Sequence, residues 1–127
     1  MKTGEITLNG KRFFLCFSVR VMRACTERYG NLEKISQALT AGTEAQRLDE
    51  SIWLLCQMLD GGNRYAKLEG LENPEPYGLE DLYDVIGVDD LAQLNTQMMA
   101  AIQLGVSREV ETQEEKKGKK TKEAAQG

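Results

Sequence analysis

Few of the 127 residues could carry covalent chemistry. Three cysteines, at 16, 25 and 56, are the candidate nucleophiles, and three adjacent carboxylate pairs, Asp49/Glu50, Glu80/Asp81 and Asp89/Asp90, are the candidate acid–base groups. A nucleophile needs a base within hydrogen-bond reach, most often histidine. The chain contains none, which removes Ser-His-Asp and Cys-His pairs together with the usual proton carrier near neutral pH. The cysteines lack CxxC spacing, so neither a zinc site nor a redox dithiol is encoded. Adjacent carboxylates diverge on a helix, so each pair reads as a solvated face or as first-turn charge facing the helix dipole. No glycine-rich phosphate loop follows a β-prone run. No catalytic, cofactor-binding or metal-binding residue is assigned, and no cofactor is expected.

The elements that carry these residues follow from turn and cap chemistry. Gly4–Leu8 and Lys11–Phe17 flank Asn9-Gly10, the strongest short-range hairpin signal, because both central residues of a type I′ turn need φ > 0. That turn pairs Leu8 with Lys11, Ile6 with Phe13 and Gly4 with Leu15, and puts Ile6, Leu8, Phe13, Leu15 and Phe17 on one face. The other face carries Glu5, Thr7 and Arg12, but also Phe14 and Cys16, so it too should pack. A lone hairpin is marginal in water, so helices of this chain or strands of another must cover it.

Ser18 is the expected N-cap of a helix ending at Tyr29-Gly30, with Val19, Met22, Cys25 and Tyr29 turned inward. Asn31 caps a second helix with Leu32, Ile35 and Leu39 buried. Thr43 and Gln46 form a capping box for a third, expected to stop at Asp60-Gly61-Gly62. Its end, Ile52–Leu59, is apolar nearly all round, which suits either the central helix of the domain or one completed by a partner. A helical turn or two should follow over Asn63–Leu68, then a surface connection over Glu69–Gly78. Helices over Leu79–Ile86 and Val88–Leu104 close the body, the latter burying Leu91, Leu94, Met98 and Ile102. The fold class is α+β, mainly helical: an N-terminal hairpin, about five helices, then a disordered charged tail. The folded domain is assigned to 1–105 and the tail to 106–127.

Net charge is −4. The tail holds six basic and five acidic residues, leaving the body with ten basic and fifteen acidic. An acidic body argues against a nucleic-acid ligand, since phosphate contacts supply most of that affinity. Widely spaced cysteines inside apolar segments suit reduced, buried thiols of a cytosol. No signal-peptide core is visible, and no apolar run approaches the roughly 18 residues of a membrane span.

What remains are surfaces for protein. Trp53, the single tryptophan, is either ordinary core or an aromatic anchor at an interface. Met98 continues a core stripe, whereas Met99 falls off it and suits adaptable contact. Phe14 either supports strand addition or sits beneath a helix. The expected partner-binding region is the apolar helix around Trp53, Leu54 and Met58 with Met98 and Met99, together with Phe14.

The stretch Ile6-Thr7-Leu8-Asn9-Gly10-Lys11-Arg12-Phe13, running on to Phe17-Ser18 and to Glu27-Arg28-Tyr29-Gly30-Asn31-Leu32, resembles the tail assembly chaperones of long-tailed phages and prophages, especially those of Gram-positive hosts. Members begin with a hairpin of roughly this pattern, followed by a helix ending in Tyr-Gly. The likeness covers about residues 4–60, and Cys16 departs from the usual polar residue. It implies a non-enzymatic chaperone, acting in the bacterial cytoplasm and absent from the mature virion. Such a protein binds the tape-measure protein and helps recruit tail tube subunits. In many members a −1 frameshift makes a longer product, and Lys116-Lys117-Gly118-Lys119-Lys120 could encode such a slip site. The resemblance names no binding residue and leaves self-association open. The rival readings are a small prophage DNA-associated regulator and another tail or head–tail morphogenesis component.

Overall fold

The turn at Asn9-Gly10 adopts the backbone its sequence demands: φ is 51° at Asn9 and 75° at Gly10. The computed structural model describes residues 3–106, so the tail from 107 on, with Lys116–Lys120, lies outside the described residues. Strands β1 (Gly4–Leu8) and β2 (Lys11–Leu15) pair antiparallel with Leu8 opposite Lys11, Ile6 opposite Phe13 and Gly4 opposite Leu15. The expected face, Ile6, Leu8, Phe13, Leu15 and Phe17, is buried. Across the solvent face Arg12 bonds Glu5 at 2.8 Å.

Helix α1 (Val19–Tyr29) begins where Ser18 Oγ accepts the Val21 amide and ends at Gly30, φ 96°. Its inward stripe is Val21 and Cys25, with Met22 and Tyr29 half-buried. Val19, expected to turn inward, is instead 82% exposed. Val21, Met22, Cys25 and Tyr29 recur at the i, i+4 spacing of one face, and Val19 falls outside that arc. Helix α2 (Glu33–Thr40) buries Ile35 and Leu39, and Asn31 Oδ1 accepts the Lys34 amide in its first turn.

Helix α3 (Glu44–Glu69) starts with the expected capping box, Thr43 Oγ1 accepting from the Gln46 amide and Gln46 Oε1 from the Thr43 amide. It does not stop at Gly61-Gly62. The helix runs on through Asn63–Leu68 to a left-handed cap at Gly70. The glycines serve close approach instead. A Cβ on Gly62 would overlap the Phe14 carbonyl oxygen, and one on Gly61 would lie 2.9 Å from the Cys16 carbonyl oxygen. Two residues without side chains let β2 lie directly on the helix backbone, and the Cys16 amide donates to the Met58 carbonyl at 3.2 Å. Helix α3 touches β2, α1, α2 and α4, so it is the central helix of the domain.

The segment after α3 does more than connect. Asn73 Oδ1 accepts the outward-facing Phe14 amide at 2.9 Å, and Tyr77 packs on Phe13 with ring centroids 5.8 Å apart. Asn73 and the Met58 carbonyl thus engage the outward amides of Phe14 and of Cys16 just beyond β2. Helix α4 (Leu79–Val85) and a 3₁₀ turn (Val88–Asp90) lead into α5, helical over 91–106. Leu94, Met98, Ala101 and Ile102 bury against the rest of the core, with Ala101 beside Gly4 of β1. The architecture is therefore α+β and mainly helical, a two-stranded hairpin held among five α-helices. No helix among the described residues is long and apolar enough to cross a membrane.

Candidate interaction surface

The six residues expected to meet a partner do not form one surface. Leu54, Met58 and Met98 are fully buried, so as folded they present nothing to a partner. This corrects the expectation drawn from the apolar Ile52–Leu59 run: a helix apolar nearly all round is here surrounded by its own chain. Trp53, Phe14 and Met99 are each half-buried, and they lie at three separate places.

Trp53 sits between α1 and α3 in a polar clamp. The Tyr29 ring meets it edge-on at 5.7 Å, and the Arg28 guanidinium lies 4.5 Å from its ring centroid. Arg28 forks onto Glu50 with bonds of 2.9 and 3.1 Å, and the Tyr29 hydroxyl donates to the same carboxylate at 2.6 Å. The stacked guanidinium and the bidentate pair together fix α1 on α3. The Arg28 bond holds the Glu50 carboxyl below its ordinary range; Tyr29 adds to this and partial burial opposes it. Burial first, then the bond to Glu50, pushes the Tyr29 phenol upward.

A depressed carboxylate pKa stabilises the fold above the unfolded-state value and loses that contribution as pH falls through the folded-state value. Glu50→Gln is therefore expected to cost about 1 kcal/mol at neutral pH. The difference from the native chain should begin to shrink near the unfolded-state carboxyl value. It should close only once pH has passed below the depressed folded-state one, where the carboxyl is protonated in both states. Urea midpoints measured across that range check the sign.

Phe14 packs edge-on against Tyr65, centroids 5.8 Å apart, above the Gly62 contact. Met99 lies in a trough between α2 and α5 with Leu39 and Asn95. Sequence reasoning missed the most exposed aliphatic side chains, Leu68 at 87%, Val88 at 86% and Val19 at 82%. Val19 follows a helix cap and Val88 opens the 3₁₀ turn; Leu68 is two residues before the Gly70 cap. Element ends expose what mid-helix periodicity would bury.

The cysteines are free, and burial raises the Cys16 and Cys25 thiols to about 11 and pushes Cys56 upward as well. Thiols held protonated are poor nucleophiles. No group of three metal-ligating side chains occurs among the described residues. Arg28, Glu50 and Tyr29, and the Asp49–Tyr83 bond of 2.8 Å, join helix to helix. No protein-family model, no curated protein and no solved structure matches the chain.

Proposed function

We propose that this chain is a non-enzymatic tail assembly chaperone of a long-tailed phage or prophage. It binds the tape-measure protein and helps recruit tail tube subunits in the host cytoplasm, then leaves before the virion is complete. The observation that carries this reading is the N-terminal unit: a two-residue Asn-Gly hairpin in register, followed by a Ser18-capped helix ending at Tyr29-Gly30. That is the pattern on which the family resemblance rests, and it is built into the body against α3 rather than appended to it.

The surface chemistry supports a holding role. Half-exposed Trp53, Phe14 and Met99 and the exposed Val19, Leu68 and Val88 are spread over a strongly charged exterior. A reversible holding role needs no deep apolar pocket, and these side chains offer only small, separate contacts among charged neighbours. No step of this role makes or breaks a covalent bond.

Co-expression with the tape-measure protein of the same phage or prophage tests the reading. The client is expected in the soluble fraction and to co-purify with this chain, and mass spectrometry of finished particles is expected to find none of the chain. Equal precipitation of the client with and without the chain overturns it. Recovery of the chain from purified virions would favour a structural component instead. Salt-sensitive retention on DNA would favour a regulator.

A further inference from the structure

Strand addition, open at Phe14 from the sequence, is closed there because Asn73 Oδ1 already takes the outward Phe14 amide. The other edge of the hairpin differs. Glu5 stands opposite Phe14, and Thr7 opposite Arg12. Since the Phe14 amide points outward, Glu5–Phe14 is a pair that exchanges no backbone bonds, and alternation makes Thr7–Arg12 another. Glu5 and Thr7 therefore turn their N–H and C=O groups to the far side of β1. The sheet has no third strand, and no other backbone group pairs with them among the described residues. Unpaired donors and acceptors along an edge strand are a template for another extended backbone.

A groove of about 370 Å³ lies on this side of the hairpin, lined by Ile6, Thr7 and Leu8 but by no residue of β2. Its facing wall comes from α4 and α5. Gln93 and Gln97 of α5 are one helical turn apart and both line it, and each amide can donate to and accept from the far edge of an added strand. Half-buried Val85 and Ile86 offer apolar contact to alternate side chains of such a strand. Asp90 is the single charged residue of the lining, so a basic residue in the occupant is matched and an acidic one repelled.

We propose that this groove takes an extended segment of a partner polypeptide, added antiparallel to β1 as a third strand. Its apolar side chains turn to Val85 and Ile86, its polar ones to solvent, and a basic residue meets Asp90. The site goes beyond the chaperone reading and does not rest on it, so either can fail while the other stands.

The probe is a capped seven-residue peptide, Lys-Thr-Val-Thr-Val-Thr-Lys, titrated into isotope-labelled full-length chain. In antiparallel pairing the residues bonded to Glu5 and Thr7 share their solvent-facing side, so the peptide's threonine amides face β1 and its valine amides face away. Hydrogen exchange at the Glu5 and Thr7 amides is expected to slow at least about tenfold at saturation, with shifts at residues 93–97. N-methylation of the threonines should weaken binding at least about tenfold through lost backbone bonds, and N-methylation of the valines should weaken it less. Glutamate in place of both lysines should also weaken it. Thr7→Pro removes one outward donor at a position where an edge strand tolerates proline, and should reduce affinity. Gln93→Arg, at an exposed position of the facing wall, should do so without touching the hairpin. Unchanged exchange at Glu5 and Thr7 overturns the assignment, as does a threonine-methylated or glutamate-ended peptide that binds as tightly as the original. Slowing of the same exchange as the chain alone is concentrated also overturns it, in favour of a second copy at this edge.

Discussion

Gly62→Ala is expected to cost about 3 kcal/mol or more, a large share of the 5–15 kcal/mol that holds a typical domain together. In an isolated helix the same change would stabilise by nearly 1 kcal/mol, because alanine is the better helix former. The sign reverses here because the new methyl would occupy the space of the Phe14 carbonyl oxygen. That atom belongs to backbone, so relief requires moving the whole strand off the helix. The move would also disturb the Cys16 amide bond to Met58 and the Asn73 cap on Phe14. Gly70→Ala is the matched control: φ is +68° but nothing lies near the missing Cβ, so only the left-handed strain of about 1 kcal/mol is expected. Urea midpoints of the two variants separate close approach from backbone strain.

Leu54→Ala is expected to cost about 2–5 kcal/mol, through lost transfer energy and an unfilled cavity. The side chain is fully buried in the centre of α3, among Leu55, Met58 and Leu59. Met99→Ala, half-exposed beside the α2–α5 trough, should cost under about 1 kcal/mol. The functional readout divides the other way. Whatever Leu54→Ala protein stays folded should hold client normally, whereas Met99→Ala should weaken holding at unchanged stability. Client loss in proportion to unfolding in both variants would show that Met99 contributes only packing.

Signals confined to a few neighbouring residues were legible in the sequence. Asn9-Gly10 set the turn and hence the register, Ser18 and Gly30 bounded α1, and the Thr43–Gln46 pair opened α3. Each acts through backbone groups within four positions of itself. The Gly61-Gly62 pair misled because glycine marks both a helix stop and a place where another backbone comes near, and the second depends on backbone 45 to 48 residues earlier. Val19 was one position off the true inward arc, which a short helix does not resolve. The grouping of Trp53, Leu54 and Met58 as a surface failed for a related reason. Apolarity all round a helix does not reveal whether its own chain or another wraps it.

The Phe14–Asn73 bond spans 59 positions, so the outward Phe14 amide has no such partner until the loop after α3 has been synthesised. At translation speeds of roughly 5–20 residues per second, the hairpin waits about 3–12 s for that partner. During the wait its apolar face, Ile6, Phe13 and Leu15, lacks the cover that Tyr77 and α5 later give beside α3. A protein read here as shielding the greasy parts of others thus begins life needing the same protection, and premature termination before residue 73 would release a fragment prone to clump.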